Sequence, residues 1–150
     1  MRAVLQRVTE GRVRIGDRVA GEISRGLVVL VAVSRDDSSE DVKYTAGKIR
    51  DLRLFEGEDG KGFERSVADI GGGVLVVSQF TLYGDVRRGR RPSFDSAAPP
   101  EKARALYEDL VRELRAAPLV VATGEFQAMM NVELVNDGPV TVIVDSKRHI

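Results

Sequence analysis

The chain has no cysteine, no tryptophan, one histidine and no net charge, since 23 basic residues balance 23 acidic ones. Without cysteine there is no disulfide framework, thiolate zinc site or cysteine nucleophile. The only histidine is the penultimate residue, His149, which argues against a Ser-His-Asp triad, a multi-histidine metal site and a buried histidine base. Any catalysis must therefore rely on hydroxyls, amides, carboxylates, backbone groups or the substrate itself. We expect no metal and no cofactor.

Two further absences concern location and partners. No run of about 18 apolar residues occurs, and the N-terminus lacks the uninterrupted apolar core of a signal peptide. We therefore expect a cytoplasmic protein that does not enter a membrane. The balanced charge argues against coating nucleic acid through bulk electrostatics. It does not argue against a local basic patch. Of the 23 basic residues, 18 are arginine, and this bias reflects either phosphate recognition or codon usage.

Strand and helix signals follow one another in a way typical of a single α+β domain over residues 1–150. Two alternating runs flank Gly16-Asp17, a type II′ hairpin signal. The uninterrupted apolar stretch Leu27–Ser34 predicts a strand buried on both faces. One helix is predicted after Ser38, which forms a capping box with the acidic residue three positions later, and a second from about Pro100. We expect mostly antiparallel β-sheets packed into a barrel-like or sandwich-like core, with the two helices outside.

Three segments carry more polar residues than packing requires. The first is Ser78-Gln79-Phe80-Thr81, in an apolar strand that we expect to continue through Tyr83. Strand alternation then places Ser78 and Phe80 on one face and Gln79 and Thr81 on the other. One interpretation is an ordinary strand end that becomes exposed. The other is that these groups and nearby backbone N–H donors polarise a carbonyl and hold an oxyanion.

The second segment is Asn136-Asp137-Gly138-Pro139, whose composition is typical of a tight hairpin turn. It predicts that Met130–Val135 and Val140–Asp145 pair as antiparallel strands. Pro139 fits poorly at the start of a valine-rich strand, because it removes a backbone donor. A Gly-Pro bond can also be cis, and glycine lets another molecule come close to the backbone.

The third segment is an arginine-rich loop that precedes Ser93 and Phe94. Its four basic residues are Arg87, Arg88, Arg90 and Arg91. Such a cluster can bind RNA phosphates, with an aromatic ring nearby for base stacking. A solvated loop explains the same pattern equally well.

In their order along the chain, the three segments resemble those of the D-aminoacyl-tRNA deacylases. The resemblance rests on SQFTLYGD (Ser78–Asp85), RPSF (Arg91–Phe94) and NDGPVT (Asn136–Thr141), supported by MRAVLQRV, GLVVLVAVS and DIGG nearer the N-terminus. It covers essentially the whole chain. It implies the deacylase fold and a homodimeric cytoplasmic hydrolase. Such an enzyme cleaves the ester between a D-amino acid, or glycine, and the 3′-terminal adenosine of tRNA.

The resemblance also implies roles for individual residues. The pocket is lined by Ser78, Gln79, Phe80 and Thr81, and the chemistry relies on backbone groups and the substrate's 2′-hydroxyl. A cis Gly138-Pro139 segment reaches into the neighbouring subunit's pocket and excludes L-amino acids, so that the site lies at the subunit interface. The other residues expected near the substrate are Phe126, Met130, Asn136 and Thr141. From its charge, and not from the resemblance, the arginine-rich loop is expected to hold the tRNA end.

The sequence departs from the family pattern at two residues, and two alternative functions also fit its motifs. Gln127 and Met129 depart from the usual family pattern around Phe126 and Met130, which bears on the fit of bulky amino acids. A non-catalytic RNA-binding dimer is the main alternative, based on the arginine-rich loop and the β-rich fold. In a purely structural dimer, the same motifs would be turn chemistry only.

Overall fold

A curled six-stranded sheet with two helices forms the architecture of the computed structural model, which describes residues 1–150. The strands are β1 (Arg2–Ile15), β2 (Arg18–Ile23), β3 (Gly26–Ala32), β4 (Gly73–Ser78), β5 (Val120–Thr123) and β6 (Asn131–Asp145). The helices are α1 (Ser39–Asp51) and α2 (Pro100–Arg115), and a short 3₁₀ turn, Phe80–Tyr83, follows β4. Neither helix has the length and apolar character needed to cross a membrane.

The long strand β1 organises the sheet through three antiparallel pairings. Its first half, Arg2–Val8, pairs with β3, its second half, Gly11–Ile15, pairs with β2, and β6 runs along its other edge. Strands β3, β4 and β5 are parallel to one another. Strand β2 comes so close to β5 that a Cβ on Gly21 would lie 2.3 Å from the carbonyl oxygen of Thr123. The sheet therefore nearly closes into a barrel.

Each parallel pair is joined by a crossover that contains a helix, α1 between β3 and β4 and α2 between β4 and β5. The helices cover one face of the sheet, where a hydrophobic cluster surrounds Phe55 and Leu110. The opposite face holds a second cluster, which includes Val13, Val28 and Leu75. Strands β3 and β4 are thus buried on both faces, which for β3 confirms the prediction from the uninterrupted apolar stretch Leu27–Ser34.

Several local sequence signals are also confirmed. Gly16-Asp17 joins β1 to β2 as a two-residue loop, with Gly16 at φ +60°. The Ser38 backbone N–H donates to Asp41 Oδ2 at 2.8 Å just before α1, and Pro100 is the first residue of α2. These signals succeed because each depends only on residues a few positions apart.

The predicted hairpin at Asn136–Pro139 is wrong. Strand β6 runs through this segment without reversing, and it pairs with β1 on both sides: Asn136 lies opposite Val8, and Thr141 opposite Gln6. Between those pairs, Arg7 alone stands opposite four residues of β6. The turn-forming residues therefore let the chain bulge out of the sheet and rejoin the same partner strand.

The strand predicted through Tyr83 is also wrong beyond Ser78. The ladder between β3 and β4 ends at the Val31–Ser78 pair, and the 3₁₀ turn begins two residues later. The Leu82 N–H donates to the Gln79 carbonyl oxygen at 3.2 Å, which closes that turn. Alternation between two strand faces consequently does not apply to Gln79–Thr81.

A half-buried polar cluster ties the start of α1 to the end of β6. Asp41 accepts hydrogen bonds from the Ser146 hydroxyl at 2.7 Å and the Ser38 backbone N–H at 2.8 Å, and its carboxylate lies 3.2 Å from Lys147 Nζ. Burial raises the pKa of Asp41, but the hydrogen bonds from Ser146, Ser38 and Lys147 outweigh it and lower the pKa to about 2. The ionised carboxylate is therefore a stabilising element of the fold.

We predict that Asp41→Asn lowers the free energy of unfolding at pH 7 by about 1–2 kcal/mol. Because the folded pKa lies below the ordinary value of 3.8, this contribution is present above about pH 4 and is lost as the pH falls towards 2. Urea unfolding curves between pH 2.5 and 7 measure it. The control is Glu40→Gln, which removes the exposed neighbouring carboxylate. A difference between wild type and Asp41→Asn that stays constant across this range would contradict the prediction.

Candidate active site

The 3₁₀ turn after β4 carries the first predicted site segment. The Gln79 backbone N–H donates to the Val31 carbonyl oxygen at 2.7 Å, which ties the turn to β3. The Gln79 side chain donates from Nε2 to Thr81 Oγ1 at 3.2 Å. Ser78 and Gln79 are half-buried, whereas Phe80 and Thr81 are exposed. The structure thus brings the amide and the threonine hydroxyl together through the turn.

Two backbone donors at the start of this turn are available to a ligand. The first N–H groups of a 3₁₀ helix have no partner inside the helix. Here they belong to Phe80 and Thr81, and neither is the donor in a hydrogen bond of the turn or its caps. They lie beside the Thr81 hydroxyl, on an exposed part of the surface. Such an arrangement can bind a carbonyl oxygen or an oxyanion.

The third predicted segment lies against the first. We define the arginine loop as residues 85–93, which closes through backbone hydrogen bonds of 2.7 and 3.0 Å between Asp85 and Ser93. Phe94 follows directly, and its ring packs edge-on against Phe80 with the two centroids 5.1 Å apart. The rings are 36% and 55% exposed, so they form an accessible aromatic surface between the turn and the loop.

One arginine of the loop is neutralised within it. The Arg87 guanidinium donates to both carboxylate oxygens of Asp85, at 2.9 and 2.7 Å, and its backbone N–H donates to Oδ1 at 3.1 Å. These hydrogen bonds lower the pKa of Asp85 to about 2. The other three arginines are exposed, and none forms an ion pair within the chain; they are Arg88, Arg90 and Arg91.

The second predicted segment, Asn136–Pro139, is anchored by an arginine of β1. Arg7 Nε donates to the Asp137 carbonyl oxygen at 3.1 Å, and Nη1 donates to the Leu54 carbonyl oxygen at 2.8 Å. Only 13% of the Arg7 side chain is exposed. Gly138 has φ +127°, and the Gly138-Pro139 peptide bond is cis. Gly138 and Pro139 are themselves exposed, so they project from a fixed base.

Side-chain hydrogen bonds close the two ends of this bulge. Asn136 Oδ1 accepts from the Val140 backbone N–H at 3.0 Å. Asn136 Nδ2 and the Thr141 hydroxyl both donate to Gln6 Oε1, at 2.5 and 2.6 Å. Asn136 and Thr141 were predicted to lie near a substrate. In the chain itself, their contacts fix the base from which Gly138 projects.

Phe126 and Met130 lie in the loop after β5. Because β4 and β5 are parallel, this loop leaves the sheet at the same edge as the 3₁₀ turn. Phe126 packs against Tyr107 of α2 with ring centroids 6.0 Å apart, and Met130 packs against the second hydrophobic cluster. Between them lie Gln127, at φ +65°, and Met129, which is 91% exposed. The loop therefore presents Met129 to solvent while its neighbours are held against the core.

Within one chain, the Gly138 bulge does not meet the 3₁₀ turn. Ser78 pairs with Val31, Val31 with Ala3, and Ala3 with Val144 of β6. The Gly138 bulge stands opposite Arg7, four residues along β1 from Ala3. The two segments are therefore separated by about 13 Å along the strands and by three strand spacings of about 4.8 Å each. Nor do three or more acidic, histidine or cysteine side chains converge anywhere in the chain as metal ligands would.

Sequence reasoning missed two residues that position the bulge, Gln6 and Arg7. The signal for Arg7 was present, because it follows Ala3 and Leu5 in the two-residue period of the buried face of β1. A charged residue in that phase requires a specific partner. The partners, Asp137 and Leu54, are far away in sequence, so only the fold identifies them.

With this geometry in place, comparison with known proteins identifies the class of protein. A family model described as D-Tyr-tRNA(Tyr) deacylase matches residues 4–145. The match spans the 3₁₀ turn, the arginine loop and the Gly138 bulge. The chain belongs to this deacylase family and is a hydrolase.

Individual relatives agree along the whole chain. A D-aminoacyl-tRNA deacylase of Thermotoga petrophila is 57% identical over 148 residues, which is 99% of both chains. One of Heliobacterium modesticaldum is 58% identical, over 98% of this chain and 97% of its own.

Solved structures share the fold. The c-Myc DNA Unwinding Element Binding Protein superposes with a TM-score of 0.92 and 39% identity, covering 97% of this chain and 98% of its own. A probable eukaryotic D-amino acid tRNA deacylase superposes with a TM-score of 0.81 over 95% of this chain and 97% of its own. At 19% identity, the second supports the fold alone.

We predict that Gly138→Ala destabilises the protein by about 2 kcal/mol, because φ +127° is unfavourable for alanine and the methyl group lacks space. Its Cβ would lie 2.9 Å from both Arg7 Nη2 and Val140 Cγ2. The matched control is Gly60→Ala, at φ +76° with nothing within 4 Å, where we expect a cost of about 1 kcal/mol from the backbone alone. Equal unfolding free energies for the two variants would show that the contact with Arg7 is unimportant.

Proposed function

We propose that this protein hydrolyses the ester that joins a D-amino acid to the 3′-terminal adenosine of tRNA, releasing the free amino acid and tRNA. The observation that carries the proposal is the pair of unpartnered backbone donors at two exposed residues, Phe80 and Thr81, in a chain of the deacylase family. The names of the relatives support it. Since charged tRNA is the substrate, we place the protein in the cytoplasm, where it would proofread translation.

The site supports ester hydrolysis through backbone groups. Water adds to the ester carbonyl carbon, the N–H groups of Phe80 and Thr81 stabilise the oxyanion, and the bond from that carbon to the 3′ oxygen then breaks. Gln79, Phe80 and Thr81 have no hydrogen bond to a carboxylate or to His149. We therefore assign the transfer of a proton from the attacking water to the departing 3′ oxygen to the 2′-hydroxyl of the adenosine, which lies beside the ester. The family resemblance implies this role.

The hydrogen bond between Gln79 and Thr81 prepares the threonine hydroxyl for this task. A hydroxyl offers one donor and two acceptor positions. Gln79 Nε2 occupies an acceptor position of Thr81 Oγ1, so the hydroxyl proton is free to point at the ester or at the attacking water. In this account Gln79 is a positioning residue and Thr81 contacts the substrate.

A second copy of the chain would supply the stereochemical filter. The Gly138 bulge is too far from its own 3₁₀ turn to act there, yet it projects from a base fixed by Arg7. Strand β6 pairs with β1 along one edge only, and its other edge has no strand partner. Val135 and Ile143 on β6 are 49% and 55% exposed. These features support a homodimer in which each bulge enters the other subunit's site.

The filter would act by exclusion. The Gly138 carbonyl occupies the space into which the side chain of an L-amino acid would project, whereas a hydrogen atom fits there. A D-amino acid presents that hydrogen and is hydrolysed. Glycine has a hydrogen on both sides and is not excluded, so we propose that glycine mischarged on tRNA(Ala) is also a substrate. In this dimer, Pro139 would line the pocket beside Gly138, with Phe126 and Met130 at its edge.

A non-catalytic nucleic-acid-binding dimer is the second candidate. The arginine loop favours it, and the solved relative with 39% identity is named for binding a DNA element. Turnover separates the two candidates. We expect the purified protein to release D-tyrosine and glycine from charged tRNA in many turnovers per subunit and to leave L-tyrosyl-tRNA intact. Binding of all three charged tRNAs without release of amino acid would refute the esterase proposal.

We predict that Thr81→Ala lowers kcat for D-tyrosyl-tRNA by about ten-fold or more while KM changes little, because the hydroxyl acts on the transition state. Thr81→Ser keeps the hydroxyl and should retain most of the activity. Steady-state release of labelled D-tyrosine over a range of tRNA concentrations gives kcat and KM for both variants. Full activity of Thr81→Ala would remove the side chain from the mechanism and leave the backbone donors alone.

A further inference from the structure

The arginine loop and a cleft within it point to a phosphate-binding site. We propose that Arg88 and Arg91 bind backbone phosphates of the tRNA acceptor end, next to the ester, while Arg87 is withheld from them by Asp85. This inference rests on the proposed function and deepens it, because it specifies which part of the substrate is held outside the reaction centre and by which side chains.

The shape of the loop supports a phosphate-binding site. The backbone bonds between Asp85 and Ser93 close the loop at its base. A cleft of about 540 Å³ opens inside it, and no hydrophobic residue lines it. The lining residues are Asp85, Arg87, Arg88, Arg91 and Ser93. A concave surface of guanidinium groups and a hydroxyl suits phosphate oxygens, which accept hydrogen bonds from both.

The arginines that line the cleft differ in whether a carboxylate neutralises them. Asp85 is fully engaged by the side chain and backbone of Arg87, so these two residues cancel each other. Arg88 and Arg91 have no partner in the chain, and their guanidinium donors face solvent. The cleft therefore carries two positive charges that no carboxylate neutralises, although three arginines line it.

The position of the cleft fits a strand that leads to the ester. The loop begins after the 3₁₀ turn and returns to it through Phe94, whose ring contacts Phe80. A nucleic-acid strand whose 3′ end lies at Phe80 and Thr81 would therefore pass the exposed Phe80–Phe94 surface and reach the cleft. Phosphate contacts of this kind position a nucleic acid without reading its sequence.

The test uses two substrates, D-tyrosyl-tRNA and D-tyrosyl-adenosine, which has the same ester but no acceptor strand. For Arg88→Ala/Arg91→Ala we expect KM for the tRNA to rise about ten-fold or more, with kcat unchanged. The slope of log KM against log salt should fall by about 0.7 for each arginine removed. Hydrolysis of D-tyrosyl-adenosine should be unchanged. Asp85→Asn releases Arg87, so it should lower KM for the tRNA.

The control variant is Arg115→Ala, which removes an exposed arginine at the far end of α2. It should change neither KM nor the salt slope. An unchanged KM for tRNA in the double variant, or an equal rise in KM for both substrates, would overturn the inference. If the wild type hydrolysed neither substrate, the proposed function would fail by itself. The affinity of uncharged tRNA, measured by fluorescence anisotropy with the same variants, would then still decide the phosphate site.

Discussion

The antiparallel pairing of β1 with β6 determines where the candidate site residues of this protein lie. Val8 pairs with Asn136 and Gln6 pairs with Thr141, so Arg7 alone must match four residues of β6. The surplus chain has to leave the sheet, and Arg7 holds it by the Asp137 carbonyl. The other edge of β1 begins the path through β3 to β4, which ends at the 3₁₀ turn. One strand therefore fixes both the bulge and the turn, and holds them apart.

This separation and the composition of the chain have a common consequence for mechanism. The turn offers backbone donors and a hydroxyl but no general base, and the bulge offers a backbone carbonyl on a rigid support. In the proposed mechanism, each is incomplete alone. A site assembled from the turn of one copy and the bulge of another would be specific for stereochemistry through shape, with most of the chemistry left to backbone dipoles and to the substrate.

Much of the fold could be predicted from the sequence, because its signals are local. The Gly16-Asp17 loop, the start of each helix and the doubly buried strands all depend on neighbouring residues. The hairpin prediction for Asn136–Pro139 was wrong for the same reason, since turn-forming residues do not reveal whether the chain reverses or bulges. That outcome depends on β1, about 130 positions earlier in the sequence. The 3₁₀ turn was missed because the apolar run continues past the last ladder pair, Val31–Ser78.

The central claim is that the filter of one subunit acts on the site of the other. A heterodimer tests it when one chain carries Thr81→Ala with an intact bulge, and the other has an intact turn with Gly138 and Pro139 both changed to alanine. The only fully active site then faces the intact bulge, so the account predicts hydrolysis of D-tyrosyl-tRNA and rejection of L-tyrosyl-tRNA. Hydrolysis of the L-ester at the rate of the bulge-variant homodimer, or failure of the wild-type chains to form a dimer, would contradict it.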